Sequence, residues 1–191
     1  MDKKKTAVGK VIAADLYRTT WVLLDKGCPE GSKWNSCTNP GYLEFNTRCM
    51  RLPPGGVTDC VTKFQDVYAR WDTENIRKLL IGTIAGTLEA VTTRPIPHTN
   101  CYDMAGVKGC NVGDQILVSG AKLRNYMHII LYNYWSGYGS WDCCYADTRQ
   151  LVDRAIDPLG GKIIREFPQF WGKDFTRDIR CIINGWETCS G

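Results

Sequence analysis

The chain has 191 residues, 43% of them hydrophobic, and carries a formal net charge of +4. It is long enough for a real core and too apolar for a disordered tail, and its length favours one domain or a tightly joined pair. The charge is mild and its basic cluster, Lys3-Lys4-Lys5, reads as a solvated tail, not as the aromatic-threaded basic face that nucleic acid requires.

Residues 1–9 are therefore expected to form a flexible N-terminal tail, and 10–191 a single disulfide-stabilised domain. Residues 10–24 are β-branched and aromatic with partial alternation, which predicts one or two strands. Residues 25–59 read as loop, because they carry Asn39-Pro40-Gly41, Pro53-Pro54-Gly55-Gly56 and three cysteines. Phe64, Val67, Tyr68 and Trp71 then stand at helical spacing. A second helix is predicted from Asp72 or Thr73 as N-cap through Ile76, Leu79, Leu80, Ile84 and Leu88. Gly82 and Gly86 lower its propensity or serve close packing.

Thr92 to Gly113 reads as another loop, and the spacing of Leu123, Met127, Ile130 and Tyr134 predicts a helix over 120–133. Asp147 followed by Gln150 is a capping-box pattern, and Gly160-Gly161 supplies the stop of that helix. Lys162 to Phe167 reads as a strand. Asp174 opens a last helix carrying Phe175, Ile179, Ile182, Ile183 and Trp186. Together these elements predict an α+β class: a single disulfide-rich globular domain with several helices on a small, mostly antiparallel sheet with long loops.

Ten cysteines stand against only two histidines. They are Cys28, Cys37, Cys49, Cys60, Cys101, Cys110, Cys143, Cys144, Cys181 and Cys189. An even count with few imidazoles and no C-x₂-C pair favours disulfides over zinc, and hence an oxidising compartment. The gaps Cys28 to Cys37, Cys101 to Cys110 and Cys181 to Cys189 suit loops or hairpins closed by a bridge, although spacing alone assigns no partners. Adjacent Cys143 and Cys144 are expected to reach different partners, because a bridge between neighbours is strained. No metal or cofactor is expected, and non-reducing mass analysis should find no free thiol.

The richest chemistry lies in residues 126–147, which hold Tyr126, Tyr132, Tyr134, Trp135, Tyr138, Trp141 and Tyr145. Such a run either stacks a partner or shields the core and its disulfides. Gly137 and Gly139 mark a turn, so Trp135, Tyr138 and Trp141 are expected to be exposed and, with Tyr145, to form a binding surface. Catalytic candidates are fewer. Asp142, Asp147 and Glu166 lie near aromatics and suit carboxylate-pair hydrolysis, with Asp147 also serving as a helix cap. His98 in a Pro-flanked loop reads as a surface histidine, and His128 as a hydrogen-bonded packing residue.

Several short strings invite comparison. Asp142-Cys143-Cys144-Tyr145 resembles the H-D-x-C-Y region of secreted phospholipases A2, but Trp141 stands where that family has its general-base histidine, so no site is carried over. Trp141-Asp142-Cys143-Cys144 is similar to the W-D-C-C string of family-45 endoglucanases, which speaks for a glycan-directed role. Leu16-Tyr17-Arg18 is similar to the arginine strand of cholera-toxin-like ADP-ribosyltransferases, whose late E-x-E this chain lacks. Val57 to Cys60 and the stretch 147–161 resemble secreted fungal effector domains.

The expectation is a secreted, extracellular toxin- or effector-like protein, non-enzymatic, that binds a protein or glycan target outside the producing cell. The alternative is a secreted carbohydrate-active hydrolase. No apolar run reaches the length of a membrane helix. The residues after Lys5 lack a signal peptide's apolar core, so a secreted form is expected to have lost its leader. There is no N-x-[ST] sequon, which argues against heavy glycosylation. Oligomeric state is not legible from the sequence.

Overall fold

The computed structural model describes residues 5–38, 41–52, 55–93, 100–119, 124–139 and 141, together with the backbone of 182–183 and 186–187. The architecture is α+β, with two helices and antiparallel sheets among these residues.

Strand β1 (Lys5–Gly9) replaces part of the expected flexible tail. Ala7 and Val8 are fully buried, and β1 pairs antiparallel with β6 (Val107–Gly113). Helix α1 (Ala13–Gly27) occupies the segment expected as strands. Its buried residues Leu16, Thr20, Leu24 and Gly27 recur on one face at helical spacing, so packing overrides the β-branched propensity. The Leu16-Tyr17-Arg18 string is therefore helical, which ends its likeness to an arginine strand.

The segment 25–59, expected as loop, holds a 3₁₀ turn (Lys33–Asn35), β2 (Ser36–Thr38), β3 (Glu44–Met50) and the start of β4 (Val57–Arg70). Strand β4 is the spine of the larger sheet. Its first half pairs with β3, and its second half pairs with β2 and with β8 (Tyr126–Tyr132). It also corrects the helix expected at 64–71. Cys60, Thr62 and Phe64 alternate inward, a bulge between Phe64 and Asp66 inserts one residue, and Val67, Ala69 and Trp71 resume the inward set. The three-residue step from Phe64 to Val67 imitates a helical period, although its cause is a bulge.

Helix α2 (Glu74–Thr93) lies where the sequence predicts it. The Thr73 hydroxyl accepts from the Ile76 amide at 3.3 Å, the N-cap geometry expected there. A Cβ on Gly82 would stand 3.1 Å from Cζ3 of Trp21, so this glycine serves the close approach of α1. The two helices share a core with the inner face of the sheet, built on Leu16, Leu80, Ile84, Phe64 and Ile129.

The loop expected over 92–113 is instead, from Cys101 onward, the hairpin of β5 (Cys101–Met104) and β6. Its two-residue turn places Ala105 and Gly106 at φ of 52° and 83°, as a primed turn demands, and Asp103 Oδ1 accepts from the Gly106 amide at 2.8 Å. The helix expected at 120–133 is also corrected. Strand β7 (Gln115–Ser119) pairs with β8, in which Met127, Ile129 and Leu131 point into the core and alternate with Tyr126, His128, Ile130 and Tyr132. Near the C-terminus, β9 (Ile182–Ile183) and β10 (Trp186–Glu187) pair antiparallel where the last helix was expected to run. The expected helix at 147–161 and strand at 162–167 lie outside the described residues.

Among the described residues, three disulfides join Cys28 to Cys37, Cys49 to Cys60 and Cys101 to Cys110. The first ties the end of α1 to β2, while the other two close hairpins, with Cys101 directly opposite Cys110. Cys143, Cys144, Cys181 and Cys189 lie outside the described residues. Among those that are described, no helix is long and apolar enough to cross a membrane.

Candidate functional site

The chain leaves β8 at Tyr132 and turns at once through Asn133, Tyr134, Trp135, Ser136 and Gly137. Asn133 sets this turn. It is 3% exposed, and its Oδ1 accepts from the Trp135 amide at 2.8 Å, an Asx turn. Its Nδ2 donates to the Ala7 carbonyl at 3.0 Å, to Thr62 Oγ1 at 3.0 Å and to the Cys49 sulfur at 3.3 Å. Ser136 adds a second anchor, because its Oγ accepts from the Ala7 amide at 3.0 Å and donates to the Asn133 carbonyl at 2.6 Å. The turn is thus fixed to β1, β3 and β4 by buried polar groups.

Residues 137–139 are equally tied. The Lys5 ammonium donates to the carbonyls of Gly137, Tyr138 and Gly139, and burial holds Lys5 below the ordinary lysine value. Asn111 Nδ2 donates to the Tyr138 carbonyl at 2.8 Å. Tyr138 meets Tyr102 edge to face at 4.9 Å, and burial, then the nearby Tyr138, pushes the Tyr102 phenol up to about 12.

One flank of the turn is aromatic and basic. Trp135 packs against Ala7 and the Cys49–Cys60 bridge. The Arg51 guanidinium lies over the Trp135 ring at 5.2 Å, and Tyr134 meets that ring edge-on at 5.1 Å. Leu52 covers Gly137, where a Cβ would stand only 2.5 Å from Leu52 Cδ1. Tyr134 itself is 76% exposed, and Leu52 is also exposed. The other flank mixes polar and apolar groups. A cleft of about 390 Å³ lies between Lys5, Gln65, Asp66, Asp114 and Tyr132. Gln65 is the residue that the β4 bulge inserts there.

The exposure expected of three aromatics in this segment is not what the structure has. Trp135, Tyr138 and Trp141 are half-buried; Trp141 packs against the main core, with its indole over Gly113. Tyr134 and Tyr132 are the exposed aromatics of the turn. Tyr145, Asp142, Asp147, Glu166 and His98 lie outside the described residues. His128 stands on the outer face of the sheet, stacked on Tyr68 at 6.4 Å. Asn133 and Arg51 are residues that the sequence did not bring forward. An Asn ending an apolar strand shortly before Ser-Gly is a turn signal that finds the first, whereas nothing near Arg51 in sequence announces Trp135. Among the described residues, no three His, Cys, Asp or Glu side chains gather as metal ligands.

No family model matches this chain, and no curated protein or solved structure matches it.

Proposed function

We propose that this is a secreted, non-enzymatic binding protein of the toxin or effector kind, which grips a protein target outside the producing cell through the 132–137 turn. The observation that carries the reading is the exposure of Tyr134 on a rigid support. Its backbone is locked by Asn133 and Ser136, and its ring rests on a tryptophan held between a disulfide and Arg51. Exposed tyrosine and arginine on a pre-organised support are the composition of binding hot spots, since little side-chain entropy is lost on contact. The three disulfides agree with an oxidising destination.

A protein target is favoured over a glycan because the Trp135 face that would stack a sugar ring is covered by Arg51. The hydrolase reading keeps one supporting observation: Asp66 and Asp114 line the same cleft. Cleavage of a glycan panel that Asp66→Asn abolishes would replace the binding reading with that one.

The test is selection of displayed random peptides on the oxidised protein. Enriched peptides should lose at least about tenfold in affinity on Tyr134→Ala, a hot-spot effect. Tyr42→Ala, at an almost fully solvated tyrosine just before β3, should leave them unchanged. Enrichment of peptides indifferent to Tyr134 would remove the site.

A further inference from the structure

Several of the described arginines are met by carboxylates. Arg48 faces Asp59, Arg77 is held by Asp25 and Glu74, Arg124 by Asp72, and Arg18 lies beside Asp15 on the same helix. Arg51 has no carboxylate partner among the described residues, although it sits only three residues beyond Arg48, where the chain leaves β3. Its contact is with the Trp135 ring. A guanidinium resting on an indole keeps its N–H edge available, and that fork fits a carboxylate bidentately. The indole also restricts the side chain, so little freedom remains to be lost when a carboxylate arrives.

Apolar groups flank this cation. Leu52, seated on Gly137, and the Tyr134 ring are both exposed beside it. We infer that the partner presents an acidic side chain to Arg51 with apolar side chains next to it, so that the ligand class is a protein segment in which carboxylates alternate with aliphatic residues. The inference rests on the binding role proposed for the 132–137 turn and adds the chemistry of its partner. Charge complementarity selects the segment: a lysine-bearing one would set two cations together, and a purely apolar one would leave the guanidinium desolvated without a partner.

The probes are two fluorescent 12-residue peptides of repeating Glu-Glu-Leu-Leu and Gln-Gln-Leu-Leu, with polygalacturonate as an acidic glycan, titrated in low salt. The Glu peptide should bind at least about fivefold more tightly than the Gln peptide, as a charge-assisted contact predicts. Arg51→Gln should erase that difference, and Arg51→Lys should restore only part of it. Arg48→Gln removes the same net charge nearby and should change the Glu peptide less than about twofold. Near-UV circular dichroism of each variant establishes that the fold is kept. Equal affinity for the two peptides, or equal losses from Arg48→Gln and Arg51→Gln, would overturn the carboxylate contact. Tighter Arg51-dependent binding of polygalacturonate would overturn the protein partner. If both peptides bind equally yet need Tyr134, the carboxylate inference fails and the binding turn stands. If neither needs Tyr134, the binding turn itself fails.

Discussion

The side-chain amide of Asn133 donates to the hydroxyl of Thr62 at 3.0 Å, and that hydroxyl donates in turn to the Ala7 carbonyl at 2.8 Å. The same carbonyl also accepts from Asn133 directly. Strands distant in sequence thus meet at one buried amide, and the exposed turn that starts there inherits their rigidity. Tyr134 is the next residue, so its backbone is positioned by the end of the central sheet and not by a loop of its own.

Asn133→Ala should therefore destabilise the protein by about 2–3 kcal/mol, because the Trp135 amide loses its acceptor and buried groups lose their donor. Asn133→Asp should be no better, since a carboxylate would face the Ala7 carbonyl without a proton to donate. Urea unfolding under oxidising conditions measures both. A loss below about 0.5 kcal/mol would show that the turn does not depend on this residue.

Arg77 is buried and bridges the Cys28 carbonyl at 2.7 Å with Asp25 and Glu74, each at 2.6 Å. It closes the end of α1 onto the start of α2. Arg77→Met should cost about 2–4 kcal/mol, less than a fully buried network because Asp25 is half exposed. Arg77→Lys should recover less than half of that, because an ammonium lacks the planar fork that reaches three acceptors. Thermal melts of the two variants provide the comparison.

At Gly82 two effects compete. Alanine raises helix propensity by about 1 kcal/mol, while its Cβ needs Trp21 to give way by a few tenths of an ångström. Trp21 is only half-buried, so Gly82→Ala should lie within about 0.5 kcal/mol of the parent. Gly82→Leu has no such escape and should cost about 2 kcal/mol or more, with a red shift of tryptophan emission as Trp21 is displaced.

His128 supplies a pH dependence. Burial lowers its pKa from the ordinary 6.5, and the nearby Asp66 opposes that shift in part. The unfolded chain then binds the proton first, so stability falls as pH drops below about 6.5 and levels off once the folded histidine is also protonated. Its cross-strand neighbours are Tyr68 on β4 and Leu117 on β7. His128→Gln should flatten the change in unfolding free energy between about pH 7.5 and about pH 5.5. An unchanged slope would assign the pH dependence to other groups.

A cap at Asp72 or Thr73 and the stripe from Ile76 to Leu88 are legible in the sequence, because a helix is written within four residues of itself, and the structure decides for Thr73. The short gaps Cys28 to Cys37 and Cys101 to Cys110 point to closed loops or hairpins, and those pairs are bridged. Strand β4 is not legible, since its bulge turns a period of two into an apparent helix. Helix α1 reads as strand because threonine, valine and tryptophan favour strands until α2 offers a face to pack on.

By itself, then, the sequence determined the α+β class, the oxidised framework and helix α2, all through local spacing and composition. Only tertiary structure decided which aromatics of the 132–137 turn meet solvent. Trp135 is withdrawn by contacts with Ala7, Cys49 and Arg51, and Tyr134 is left outside. The physical reason is range: Asn133 reaches Ala7 across 126 positions of the chain, and no local pattern carries information over that distance.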